Sequence, residues 1–143
     1  MTVKAILAEK GSRVLTLTPE HTLAEACEML AANKIGAVVL THADGTIAGI
    51  LSERDVVRAI AQEGPGAIAQ KSGSYMSRHV VTCREEDTIH DVMSRMTAGR
   101  FRHMPVIRHG KLIGVVSIGD VVKRRIEVVE READEIRSYI ASA

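Results

Sequence analysis

Two short stretches of this chain share one chemistry. Gly49-Ile-Leu-Ser-Glu-Arg-Asp55 returns as Gly114-Val-Val-Ser-Ile-Gly-Asp120, each time a glycine, two aliphatics, a serine and, three residues on, an aspartate. The apolar runs from Ile47 to Leu51 and from Leu112 to Val116 have the composition of strands. Ser52 and Ser117 then fall where a helix wants its N-cap, with a hydroxyl that can accept from an amide of the first turn. Such a helix start attracts anions, because its free N–H groups and the helix dipole point outward. Asp55 and Asp120 lie in that first turn, where a carboxylate can accept from a ribose diol, as an acidic residue does in dinucleotide folds. Either stretch alone is also what plain helix capping produces. Their recurrence in register is what favours a paired binding site.

The elements that carry these residues are themselves duplicated. A shift of 66 residues lays Val14-Leu-Thr-Leu17 on Val80-Val-Thr-Cys83 and Thr22-Leu23 on Thr88-Ile89. Leu23, Ala26, Cys27 and Leu30 then meet Ile89, Val92, Met93 and Met96, the apolar spacing of a one-sided helix. Ile35-Gly-Ala-Val-Val-Leu40 meets Phe101-Arg-His-Met-Pro-Val106 as a second strand. The offset drops to 65 across the turns, where Asp44-Gly45 faces His109-Gly110, and insertions are tolerated in turns. Each half therefore reads β-α-β-β-α, an α/β unit that cannot cover its own apolar sheet. Two copies are expected to pack sheet to sheet about a pseudo-twofold axis, with a cleft between them.

Outside the repeats, Val3, Ile6 and Leu7 predict a short helix that docks on the body, with Lys4 on its solvated side. The breaker-rich stretch from Gly64 to Ser74 reads as the crossover between halves, and Tyr75-Met76 as its anchor. A long helix is predicted over 120–140, because Val122, Ile126, Val129, Ala133, Ile136 and Ile140 alternate four and three apart. That seam outruns its counterpart in the first half, so a homodimer contact is expected there. Lys123-Arg-Arg125 reads as a solvated face.

Composition narrows the function. With 19 Lys plus Arg against 18 Asp plus Glu, the chain has no long-range field to recruit nucleic acid or an anionic membrane. Aromatic residues make up only 2%, so stacking platforms for single strands are missing as well. No stretch approaches the roughly 20 apolar residues of a membrane span, and the first residues lack a signal-peptide core, so a soluble cytoplasmic protein is expected. Cys27 and Cys83 read as small buried hydrophobes. The six histidines show no metal-ligand spacing, and no metal is expected. Neither a nucleophile elbow nor a phosphate-binding loop is present, so the chain is not expected to be an enzyme.

Taken with the Val-x-Thr starts and the Arg102-His-Met-Pro-Val106 strand, these motifs make the whole chain resemble a tandem CBS-domain protein, or Bateman module. The resemblance implies one pair over 1–143, with repeats at 8–64 and 75–133, binding adenosine-containing ligands between them. AMP is the foremost candidate, with ADP, ATP, NAD or S-adenosylmethionine as others. Carried over, it implies that Asp55 and Asp120 accept from ribose hydroxyls and that Ser52 and Ser117 face ribose or phosphate. Ile35-Gly36-Ala37 and Arg102-His103-Met104-Pro105 would border base and phosphates, and Thr16 and Thr82 would close the sites. Which start segment closes which site stays open. The halves differ: Glu53-Arg54 follows one serine and Ile118-Gly119 the other, and only the second strand carries Arg102 and His103. Unequal affinities are therefore expected. A regulated partner protein belongs to this reading. Its rivals are a dimeric scaffold with empty clefts and, less favoured, a nucleotide hydrolase.

Overall fold

The 66-residue offset extends to the backbone. Thr22 and Thr88 cap α2 (Leu23–Asn33) and α4 (Ile89–Gly99), accepting from the amides of Glu25 and Asp91 at 3.1 Å each. The same two helices end on left-handed residues, Lys34 at φ 53° and Arg100 at φ 57°. The computed structural model describes residues 1–11 and 14–142. Its elements run α1 (Val3–Lys10), β1 (Thr16–Leu17), α2, β2 (Ala37–Thr41), β3 (Ile47–Ser52), α3 (Glu53–Glu63), α4, β4 (His103–Arg108), β5 (Lys111–Ser117) and α5 (Ile118–Ser142).

In the first repeat β1 lies parallel to β2, and β2 antiparallel to β3. The second repeat has only the β4–β5 hairpin, whose turn places His109 and Gly110 at φ 51° and 76°, as a tight primed turn requires. The strand expected at Val80–Cys83 is reduced to one bridge, Cys83 to Val106. Pro105 stands where the first repeat has Val39, and its nitrogen has no hydrogen to continue a parallel ladder. β2 is buried on both faces: Val38 and Leu40 enter the core of the first repeat, while Ala37 and Val39 face away from it and are also covered. Met104 and Val106 play the same inward part in β4. This alternation, with β2 and β4 each covered on both sides, is the packing that two facing repeats produce.

Each repeat borrows a segment that the order of the chain would assign elsewhere. Val3, Ile6 and Leu7 of α1 are buried in the core of the second repeat, and the Val3 amide donates to the Asp87 carbonyl at 2.9 Å. Reciprocally, the linker covers the first repeat through Ala67, Tyr75 and Met76, with the Ser72 amide donating to the His21 carbonyl at 2.7 Å. Glycine marks both contacts. An added Cβ at Gly114 would sit 2.7 Å from Leu7 Cδ2, and one at Gly49 would sit 2.6 Å from Met76 Sδ.

Val121 roots α5 in the second core, and Arg124, expected to be solvated, instead pairs with Glu9 of α1. Beyond this root the predicted seam is uncovered: Ile126, Ile136 and Ile140 are 52%, 60% and 68% exposed. No helix among the described residues is long and apolar enough to cross a membrane.

Candidate functional site

Both predicted helix starts fold as capped turns. The Ser52 hydroxyl accepts from the Asp55 amide at 3.3 Å, and Asp55 Oδ2 accepts from the Ser52 amide at 2.8 Å. In the second repeat Asp120 donates its amide to Ser117 Oγ at 3.2 Å and accepts the Ser117 amide at 2.9 Å. The reciprocal bonds arise because serine and an acid three residues later each satisfy an orphan donor of the first turn. Capping is therefore one real duty of these four residues. The two aspartates differ in what else they meet.

Asp55 lies on the wall of a cavity of about 680 Å³ that opens between the repeats. The first repeat contributes Gly36, Ala37, Ser52, Arg54 and Asp55, and the second contributes Arg100, Arg102 and His103. Val80 and Val81 also line it, so the start of the second repeat is the segment that closes the Asp55 cavity. The lining divides chemically. Ile50, Val81 and Ile118 offer apolar surface, while Arg54, Arg58, Arg100 and Arg102 face only Glu53 and Asp55 as counter-charges. Arg58 Nη1 approaches Asp55 Oδ1 at 3.4 Å, and no carboxylate pairs with Arg54, Arg100 or Arg102 among the described residues. An anion held here would meet planar guanidinium donors suited to phosphate oxygens.

His103 stands on the cavity wall where the two repeats approach each other. Its ring lies 3.1 Å from where a Cβ on Gly36 would be, so the glycine is what lets the two strands meet across the cleft. Burial pushes the imidazole below its ordinary value and Lys10 adds to this, while Glu53 and Asp120 pull the other way. The ring is thus neutral at pH 7 and able to both donate and accept.

Asp120 is engaged elsewhere. Lys10 Nζ donates to Asp120 Oδ2 at 2.8 Å and to the Val115 carbonyl at 2.9 Å. Burial alone raises the Asp120 carboxyl, but Lys10 and the Ser117 amide outweigh it and hold the group below the ordinary carboxylate range. Neither Ser117 nor Asp120 lines the 680 Å³ cavity.

Of the residues singled out from sequence, Gly36, Ala37, Ser52, Arg54, Asp55, Arg102 and His103 meet in this cavity, and Thr16, Ile35, Thr82, Met104 and Pro105 are not on its wall. Met104 is wholly buried in its own repeat's core, because alternation along β4 turns it away from His103. The Thr82 carbonyl accepts from Arg95 at 2.9 Å, a bond that fixes the start segment to α4. Sequence reasoning missed Arg58, Arg100 and His79 on the wall. Arg58 is legible in retrospect as the residue three beyond Asp55 on the same helix face. Cys83 is buried as expected, its thiol pushed up to about 12 chiefly by burial, whereas Cys27 is only partly covered.

Comparison with known proteins gives a consistent picture. The family model of the CBS domain matches residues 3–62 and 73–127. Its first span includes α1, which packs in the opposite repeat. The CBS domain-containing protein CBSX3, mitochondrial, of Arabidopsis thaliana is 31% identical over 147 residues, covering 97% of this chain and 71% of its own length. The crystal structure of the CBS-domain containing protein ATU1752 from Agrobacterium tumefaciens superposes with a TM-score of 0.84 at 47% identity, over 87% of this chain and 92% of that one. Two solved proteins at 22% identity share the fold. The CBS domain pair of MJ0100 (TM-score 0.77; 86% of this chain, 94% of that one) holds 5′-methylthioadenosine and S-adenosyl-L-methionine, and CBSX2 (0.71; 81% and 90%) holds AMP.

Proposed function

The chain belongs to the CBS-domain family, and on that premise we propose that it is a regulatory module whose inter-repeat cleft takes an adenosine-containing ligand, AMP foremost, without performing catalysis. One observation carries this reading: a carboxylate at a helix start, Asp55, shares a single cavity with an apolar wall and with three arginines that no carboxylate pairs among the described residues. A cavity of about 680 Å³ falls within the range of about 300–1,000 Å³ typical of small-molecule sites. In this assignment Asp55 accepts from the ribose hydroxyls, Arg54, Arg100 and Arg102 take the phosphate, and Val81 and Ile118 flank the base. The AMP, 5′-methylthioadenosine and S-adenosyl-L-methionine of the related structures share the adenine and its ribose but not a phosphate, and the proposal defines the ligand class by that shared part.

A ligand bridging both repeats biases their relative orientation by binding one arrangement more tightly than another. The outlet for that bias is α5, rooted by Val121 in the second repeat and exposed along Ile126, Ile136 and Ile140. We assign its seam to a homodimer, through which occupancy of the cleft would reach a regulated partner. Thermal-shift titration with AMP, NAD and GMP tests the reading. At a hundredfold its dissociation constant, AMP adds about 2.7 kcal/mol of stability, which raises the melting temperature by roughly 5–10 °C. The absence of any adenosine-dependent shift would reject it.

A further inference from the structure

The structure assigns Lys10 a role that the motifs do not contain: we propose that it is a tethered stand-in for ligand, latching the second half-site at Asp120 while the first, at Asp55, stays open. The proposal rests on the cleft reading for the identity of the ligand and goes beyond it in making the two sites unequal by design. An equivalence between α1 and the linker carries it. Thr2 bridges Thr88 as Lys71 bridges Thr22, and Leu7 fills the space beside Gly114 as Met76 fills that beside Gly49. Thr2 and Lys71, like Leu7 and Met76, stand 69 residues apart, and the same shift takes Lys10 to His79.

Lys10 and His79 therefore hold corresponding places, each where a borrowed segment approaches a capped aspartate. His79 lines the open cavity of Asp55. Lys10 instead has a stem long enough to reach across, and its ammonium group is held at two points, by Asp120 Oδ2 at 2.8 Å and the Val115 carbonyl at 2.9 Å. The cation comes from an element outside the helix that bears Asp120, so it can be withdrawn without undoing the serine cap. With the Lys10 side chain 44% exposed, the ion pair is a reversible latch and not a permanent plug. The latch is also close to the open site, since His103 on the cavity wall feels the charge of both Lys10 and Asp120.

Calorimetric titration of the full chain with AMP tests this in the wild type, in Lys10→Met, in Lys10→Arg and in Lys10→Met with Asp120→Asn. Methionine keeps the apolar stem and removes the charge. The expected result is a second site at least tenfold weaker than the first in the wild type, tightened at least fivefold by Lys10→Met, unchanged by Lys10→Arg and lost in the double variant. Two equal wild-type sites, or a second site that Lys10→Met leaves unchanged or weakens, would overturn the latch while leaving the cleft reading intact. Binding that appears only in Lys10→Met and disappears with Asp120→Asn would keep the latch and reject the open cleft. No binding in any of the four proteins would reject both.

Discussion

Replacing Gly114 by alanine places a methyl carbon 2.7 Å from Leu7 Cδ2 and 3.2 Å from Cδ1, and this contact tests whether α1 is an integral part of the second repeat. Overpacking of this kind costs about 1–3 kcal/mol, offset by about 0.4–1 kcal/mol because alanine restricts the unfolded chain. Leu7→Ala alone removes a side chain only 8% exposed and costs about 2–5 kcal/mol. In the double variant the new methyl enters space that Leu7 has vacated, so the two costs should fall short of additivity by about 1–2 kcal/mol. The counterpart in the first repeat behaves differently. A Cβ at Gly49 meets Met76 Sδ at 2.6 Å and also the Ser77 carbonyl at 2.7 Å, and that carbonyl is fixed by the Ile50 amide at 3.0 Å. Met76→Ala removes the first obstacle and leaves the second, so Gly49→Ala should gain little from it. Urea denaturation of the six variants and the wild type reads both cycles. Additive costs at Gly114 and Leu7, or equal rescue at both glycines, would refute the packing argument.

Three further outcomes follow from the site and the long helix. Thr22→Ala removes a cap outside the cleft and should cost about 1 kcal/mol with AMP affinity unchanged, whereas Asp55→Asn keeps a capping oxygen, loses the charge and should weaken AMP by about 10- to 100-fold in calorimetry. Because burial depresses the His103 pKa, its stabilising contribution is complete above the unfolded value near 6.5 and declines as pH falls through the folded one. Urea midpoints at pH 7.5 and 5.5 should therefore differ less in His103→Gln than in the wild type. Ile126→Glu combined with Ile136→Glu should shift sedimentation from dimer to monomer, and a wild-type protein that sediments as a monomer would remove the assignment of the α5 seam.

Much of the fold was legible because the two repeats share periodic signals. The helix starts at Thr22, Thr88, Ser52 and Ser117, the turns at Gly45 and Gly110, and the long helix all appear where spacing puts them, the last as Ile118–Ser142 against a predicted 120–140. The exchange of segments between repeats was not legible. Thr2–Lys10 and Lys71–His79 share almost no residue types, and their correspondence rests on what packs against Gly114 and Gly49. For the same reason nothing in the sequence singles out Lys10, whose partners Val115 and Asp120 lie in the second repeat. The lost strand at Val80–Cys83 follows from a single missing donor at Pro105, a residue that apolar pattern alone counts as an acceptable strand member. In the candidate site, the sequence identified the aspartates through their caps. It could not show that one faces an open cavity and the other a lysine, since that difference is made by tertiary contacts across more than a hundred residues.

In the proposed site, Asp55 and the cleft arginines hold an adenosine phosphate between the repeats. A crystal structure of the protein grown with AMP would show whether they do. The ribose hydroxyls should then lie within hydrogen-bond distance of the Asp55 carboxylate and the phosphate among Arg54, Arg100 and Arg102. Nucleotide bound away from Asp55, or a cleft left empty at saturating AMP, would contradict that placement.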